Sequence, residues 1–247
     1  MPDALTLPQL VYFCLVLILS YSIRGSAGFG GATVPLLAII MSLKLVVPLV
    51  TFLGLLSSCA ILLKDYRHVS WRDTRKVIPY CVIGVLIGLY FFKTLDARSL
   101  AHALGILVLV YGSYSLWVTV RPGFSFRFPL KVMTPLMGTV AGFIGTLFGA
   151  MAGMFFAIYL DYLKLGKNEF RATMAAILLA LGIFRGLGYI SVGAFDRDVL
   201  IVCATAVPLM AIGIFLGNRI HANLNQIAFK RFVALILIAS GAPLLLR

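Results

Sequence analysis

Two arginines stand inside apolar stretches of this chain. Arg24 precedes the run Gly25-Ser26-Ala27-Gly28-Phe29-Gly30-Gly31, and Arg185 interrupts Leu181-Gly182-Ile183-Phe184-Arg185-Gly186-Leu187. A guanidinium is planar, permanently charged and forked, so its natural partner is an oxyanion taken in two-pronged geometry. Glycines that stop and restart a helix add free N–H groups at the positive end of a helix dipole, which also suit an anion. A second glycine run, Gly145-Thr146-Leu147-Phe148-Gly149, and two threonines, Thr51 and Thr173, complete the set. The candidate anion ligands are therefore Arg24, Gly28, Gly30, Gly31, Thr51, Gly145, Thr146, Gly149, Thr173 and Arg185. Each has a structural alternative. Arg24 can cap the first helical limb, Arg185 can hold a carbonyl, a threonine can bond back to its own helix, and glycines can let helices pack.

The elements that carry these residues belong to a membrane. The 247 residues are 62% hydrophobic and only 12% charged, against about 25% in soluble domains. Apolar runs recur along the whole length and are separated by short charged loops, so the fold class is an all-α polytopic membrane protein. The first run, 7–23, lacks a basic leader and a small-residue cleavage site and reads as a retained helix rather than a signal peptide. The net charge of +13 reflects Lys and Arg gathered in cytoplasmic loops and not nucleic-acid binding. Cys14, Cys59, Cys81 and Cys203 lie in apolar runs without metal-ligand spacing, and no cofactor or metal is expected.

Full spans are expected at 45–64, 77–93, 99–119, 168–190, 197–217 and 226–246. Regions 8–43 and 132–163 are too long for one span and are broken by glycines. The chain also repeats. Pro79, Gly84, Gly88, Leu95 and Gly112 recur 129 positions later as Pro208, Gly213, Gly217, Leu224 and Gly241, while Phe29-Gly30 aligns with Phe148-Gly149. The expected division is a first repeat at 1–120 and a second at 121–247, within one membrane domain. Loop 64–76 is strongly basic, but its counterpart near 193–205 is almost neutral. The basic side switches between halves, which is the mark of inverted-topology repeats.

Inversion needs an odd number of crossings per half, so each glycine-broken region is expected to enter and leave on one side. Limbs of about 15 residues would reach roughly 22 Å, past the midplane. On this reading Ala32 and Thr33 restart a helix with Pro35 in its first turn, and two half-helix N-termini meet near the membrane centre. Two ordinary spans in each region would satisfy the same parity. Gly84/Gly88 and Gly213/Gly217 read as packing positions.

The stretch "GFGGATVPLLAII", its weaker second copy and the threonine of each following helix resemble the TauE/SafE family of sulfite and organosulfonate exporters. The resemblance covers essentially the whole chain, although Ala32 replaces the last glycine of the family motif and the second copy lacks the proline. It implies duplicated halves and a small sulfur-containing anion moved across the cytoplasmic membrane by a multi-pass protein. Which sulfur anion is not fixed by it.

Arg171 and Asp161 are candidates for a gate at the cytoplasmic mouth, or for a plain loop salt bridge. Asp161 and Glu169 are the carboxylates best placed for proton coupling, yet both lie near helix ends, and His68, His102 and His221 lie at or near loops. No confident coupling residue emerges; expelling a monoanion down the membrane potential supplies about 2.3 kcal/mol per 100 mV. An intramembrane enzyme is disfavoured, since the chain has no H-E-x-x-H, no G-x-S-x-G and no paired aspartates in facing spans. The leading expectation is a secondary transporter working by alternating access, with a small-anion channel or uptake of a sulfur oxyanion as alternatives. Its partners are the anion and the lipid bilayer; homo-oligomerisation is left open.

Overall fold

The computed structural model describes residues 6–27, 30–120, 129–149, 151–220 and 226–245. Its order is α1 (Leu7–Ala27), α2 (Thr33–Leu37), α3 (Leu43–Asp65), α4 (Trp71–Thr94), α5 (Ala97–Val120), α6 (Leu130–Phe148), α7 (Ala152–Tyr162), α8 (Lys167–Ser191), α9 (Arg197–Ile220) and α10 (Gln226–Leu245). Among the described residues, seven helices are long and apolar enough to cross a membrane. Leucines and isoleucines face outward along them, as at Leu86, Leu187 and Ile190. Such outward apolar faces suit lipid, not water.

Helix ends are set by short polar signals. The Asp96 carboxylate accepts the N–H groups of Arg98 and Ser99 at the start of α5, and the Ser99 side chain helps hold it below the usual carboxylate range. Asp196 accepts the Val199 N–H at 2.9 Å to cap α9, and Glu169 reaches back to the Gly166 N–H at 3.2 Å to cap α8.

Both glycine-broken regions fold back on themselves. The Tyr12 hydroxyl donates to the Leu36 carbonyl, and Gly30 lies against Ser20 and Arg24, so α2 returns along α1. Likewise Gly145 faces Ala152 and Thr134 faces Tyr159, so α7 returns along α6. The limbs are not the equal 15-residue arms expected. The outgoing arms have 21 and 19 residues, the returning ones 5 and 11. At 1.5 Å per residue, α1 is about 31 Å long and α2 about 8 Å. The return is short because α2 ends after Leu37 in a loose turn, Ile39 and Ile40 bonding three residues back, before Ser42 takes the extended conformation that starts α3. Helix restart at Thr33, with Pro35 two residues on, is as expected.

Four helix pairs assemble the bundle: α4 with α6, α5 with α10, α1 with α9 and α3 with α8. Packing glycines set the first three. A Cβ on Gly84 would strike the backbone of α6 at Phe143 N, and one on Gly213 would meet the Ile18 carbonyl at 2.7 Å. Gly138 faces Val77 and Tyr80 while Gly88 faces Thr146, so α4 and α6 run in the same direction. Gly105 faces Leu245 and Gly241 while Gly112 faces Ala234 and Ile238, so α5 and α10 run in opposite directions. The α3–α8 pair is antiparallel too: Leu55 meets Gly182 and Gly186, while Asp65 meets Arg171.

Candidate functional site

Both fold-back tips meet in the core. Gly149 ends α6 with φ 73° and ψ −78°, a left-handed conformation that favours glycine. A Cβ there would lie 3.2 Å from Val34 of α2 and 3.6 Å from Val47 of α3. Gly31, from the other tip, presses against Met154 of α7. Gly28 lies outside the described residues.

Around this junction the chain buries two guanidiniums. Arg24 is 6% exposed and Arg185 5%. Arg24 ends the outgoing limb of the first fold-back; its Nη2 donates to the Gly54 carbonyl at 3.2 Å and to the Ser58 hydroxyl at 2.8 Å, both on α3. Arg185 does the reverse. It sits on the long helix α8, and its Nη1 donates to the carbonyls of Gly145 and Gly149 at the end of α6. Both stand where α3 crosses α8: Arg24 reaches Gly54, and the neighbouring Leu55 packs on Gly182 and Gly186 beside Arg185. Among the described residues neither has a carboxylate partner. The chain's eight carboxylates explain why: Asp3 lies outside the described residues, and the other seven sit in loops or in first and last helical turns.

Each arginine has a tyrosine one turn away on its own helix. Tyr21 precedes Arg24 by three residues, is 1% exposed, and its hydroxyl has no hydrogen-bond partner. Tyr189 follows Arg185 by four residues, and its hydroxyl donates to the Thr146 carbonyl. Thr51 is fully buried with its hydroxyl near that of Tyr189, and it too lacks a hydrogen-bond partner. The Nε groups of Arg24 and Arg185 are likewise buried and unpaired. These four buried donors, two hydroxyls and two guanidinium Nε groups, have no hydrogen-bond partner. Buried donors of this kind cost about 1–3 kcal/mol each when unsatisfied.

Several candidates take other roles. Gly145 and Gly149 contribute carbonyls to Arg185 rather than N–H groups to an anion, because α6 ends there and its last carbonyls need donors. The Thr146 hydroxyl bonds back to the Gly142 carbonyl at 2.7 Å. Gly30 lies within the first fold-back, where a Cβ would crowd the Ser20 carbonyl at 3.3 Å. With only five residues, α2 is too short to act as a strong dipole.

Thr173 lies at the other end of the α3–α8 pair. It is sixteen residues from Tyr189 on one helix, about 24 Å at helical rise. Its hydroxyl accepts the Ser70 N–H at 2.9 Å. Two residues away, Arg171 pairs with Asp65 at 3.2 Å, tying the start of α8 to the end of α3. Asp161, expected opposite Arg171, is exposed in the last turn of α7.

Sequence reasoning missed Tyr21, Ser58, Asp65 and Tyr189. The tyrosines carried a signal: a phenol one turn from an arginine within an apolar helix needs a partner for its hydroxyl. Asp65 and Ser58 carried none, because the contacts arise from how helices cross.

Comparison with known proteins places the chain in a family. The family model described as "Sulfite exporter TauE/SafE" covers residues 12–244. A probable inner membrane transporter protein, TsaS of Comamonas testosteroni, is 29% identical over 187 residues, covering 73% of this chain and 74% of its own. A probable sulfite/organosulfonate exporter, TauE of Cupriavidus necator, is 27% identical over 223 residues, covering 85% and 80%. No solved structure matches. Together with the seven span-length helices, these relatives make the chain a multi-pass inner-membrane transporter. It belongs to the TauE/SafE sulfite exporter family.

Proposed function

We propose that this protein is a secondary transporter that exports a small sulfur-containing anion, sulfite or an organosulfonate, by alternating access. One observation carries the reading: among the described residues, two buried guanidiniums lack a carboxylate partner, and the buried Tyr21 and Thr51 hydroxyls lack any hydrogen-bond partner. A centred arginine costs about 3 kcal/mol on insertion scales, and two neighbours repel. An oxyanion answers both the missing charge and the missing acceptors. Arg24 is its main ligand, Thr51 and Tyr21 add hydroxyl donors, and Arg185 frames the site while clamping α6. The names of the two relatives support a sulfur anion as cargo.

Alternating access follows from the repeat. The proposed units, 1–120 and 121–247, are inverted copies. The equivalent helices α3 and α8, like α5 and α10, lie antiparallel, as a two-fold axis in the membrane plane requires. Arg171–Asp65 and the Thr173–Ser70 bond then close the end next to the basic loop, the cytoplasmic one.

The test is flux into proteoliposomes containing the purified protein, screened with sulfite, sulfate, thiosulfate, taurine and sulfoacetate. Saturable uptake of at least one sulfur anion, with counterflow, is expected. Unsaturable flux without counterflow would favour a channel, and no flux of any of them would overturn the reading.

A further inference from the structure

At the end of the bundle where Lys44 begins α3, opposite the basic loop, a cavity of about 270 Å³ opens. Lys44, Lys93 and the α8–α9 turn at 192–194 line it, with Asp196 as the carboxylate among them. Two ammonium groups against one carboxylate leave it net positive. Phe92 forms its floor. Phe92 is 2% exposed, and Lys44 meets it twice: Nζ donates to its backbone carbonyl at 3.3 Å and stands 5.7 Å from its ring centroid.

Below that ring lies the anion region. The Phe92 ring packs on the Tyr189 ring with centroids 5.0 Å apart and planes tilted 58°. The Tyr189 hydroxyl reaches the Thr146 carbonyl, with Thr51 beside it and Arg185 one turn away. Two aromatic rings therefore separate an open cationic pocket from the buried guanidiniums. The other end of the α3–α8 pair is tied by an ion pair and a backbone bond.

We propose that the Lys44 pocket is an outer station for the transported oxyanion and that Phe92, latched by Lys44, is the door between this station and the arginine centre. This rests on reading that centre as the transport site. An anion in the pocket competes for the Lys44 ammonium, loosening its hold on Phe92, so occupancy of the station and movement of the door are coupled. The pocket is large enough for a sulfonate, and its two lysines address the acid group.

Accessibility of introduced cysteines in the full-length protein tests this, with Cys14, Cys59, Cys81 and Cys203 replaced by alanine. Val192→Cys, on the pocket wall, should react at least fivefold faster with an anionic ethylsulfonate thiosulfonate than with its cationic trimethylammonium counterpart, after correction for their rates on free thiol. Sulfate should slow the anionic reagent, and Lys44→Gln should erase the preference. Thr51→Cys should be unreactive from this side while Phe92 is present and become reactive in Phe92→Ala, or in Phe92→Leu should the alanine protein not fold. Equal rates for both reagents at Val192→Cys would overturn the station. Unchanged protection of Thr51→Cys in a folded Phe92 variant would overturn the door. Neither rate depends on Arg24, so these failures are distinct from a failure of the arginine centre, which flux through Arg24 variants reports.

Discussion

Arg24 and Arg185 make the same crosslink in opposite senses. In the first half the arginine sits on the broken limb and reaches the long helix; in the second it sits on the long helix and reaches the broken limb. The consequence lies in what each grips. Arg185 holds two carbonyls at the end of α6, groups that have no intrahelical partner and cannot leave. Arg24 holds one carbonyl and one hydroxyl on α3, and the Gly54 carbonyl also accepts the Ser57 hydroxyl at 3.0 Å. Its partners have alternatives. Arg185 is therefore the more structural cation and Arg24 the one freer to turn toward an anion, the reverse of what depth in the span alone suggests.

The largest effect expected from this contrast is on flux. Arg24→Ala should lower sulfur-anion counterflow by about 100-fold, the loss of roughly 3 kcal/mol of charge-assisted hydrogen bonding, while the protein still purifies as a folded species. Arg24→Lys should restore only part of it, because an ammonium lacks the fork. Flux retained in Arg24→Ala would break the comparison outright.

Arg185→Ala should show its main effect in stability. Removing the guanidinium strands the Gly145 and Gly149 carbonyls in the core, a loss of about 3 kcal/mol, and should lower the thermal unfolding midpoint in detergent well below that of Arg24→Ala. Flux would fall with it, since the tip of the second fold-back loses its anchor. The roles are exchanged if Arg185→Ala keeps its midpoint and loses only flux.

How much of this was legible beforehand depends on what a residue type encodes. Apolar runs and basic loops follow from composition, so five of the seven span-length helices and the family were visible in the chain itself, whereas α1 and α6, also long enough to cross, were expected as half-length limbs. The glycine repeats disclosed two fold-backs, because a helix cannot continue through Gly28 to Gly31 without large loss. The length of each returning arm was hidden, since "VPLLAII" is as compatible with ten helical residues as with the five that form. Arg185 was recognisable as an odd charge, but its partners are backbone carbonyls, which every residue has. The Arg171–Asp65 pair joins positions 106 apart and depends on how α3 and α8 cross. The sequence instead suggested Asp161, which is nearer along the chain.

The smallest effect is also the most discriminating, because its sign differs between two residues of one type. Thr51 and Thr173 lie on α3 and α8, the two long helices that follow the fold-backs. The Thr51 hydroxyl is buried without a partner, whereas Thr173 accepts the Ser70 N–H. Valine keeps the shape of threonine and removes the hydroxyl. In Thr51→Val an unsatisfied buried group disappears, so the empty protein should gain up to about 1 kcal/mol, while the half-saturating concentration for the anion rises about fivefold. In Thr173→Val the Ser70 N–H loses its acceptor, so stability should fall by about 1 kcal/mol with anion affinity unchanged. Thermal midpoints and saturation curves on the two variants give the signs. If both variants lose affinity alike, the threonines are equivalent ligands, and the separation of an anion-holding end from a structural end of the α3–α8 pair is wrong.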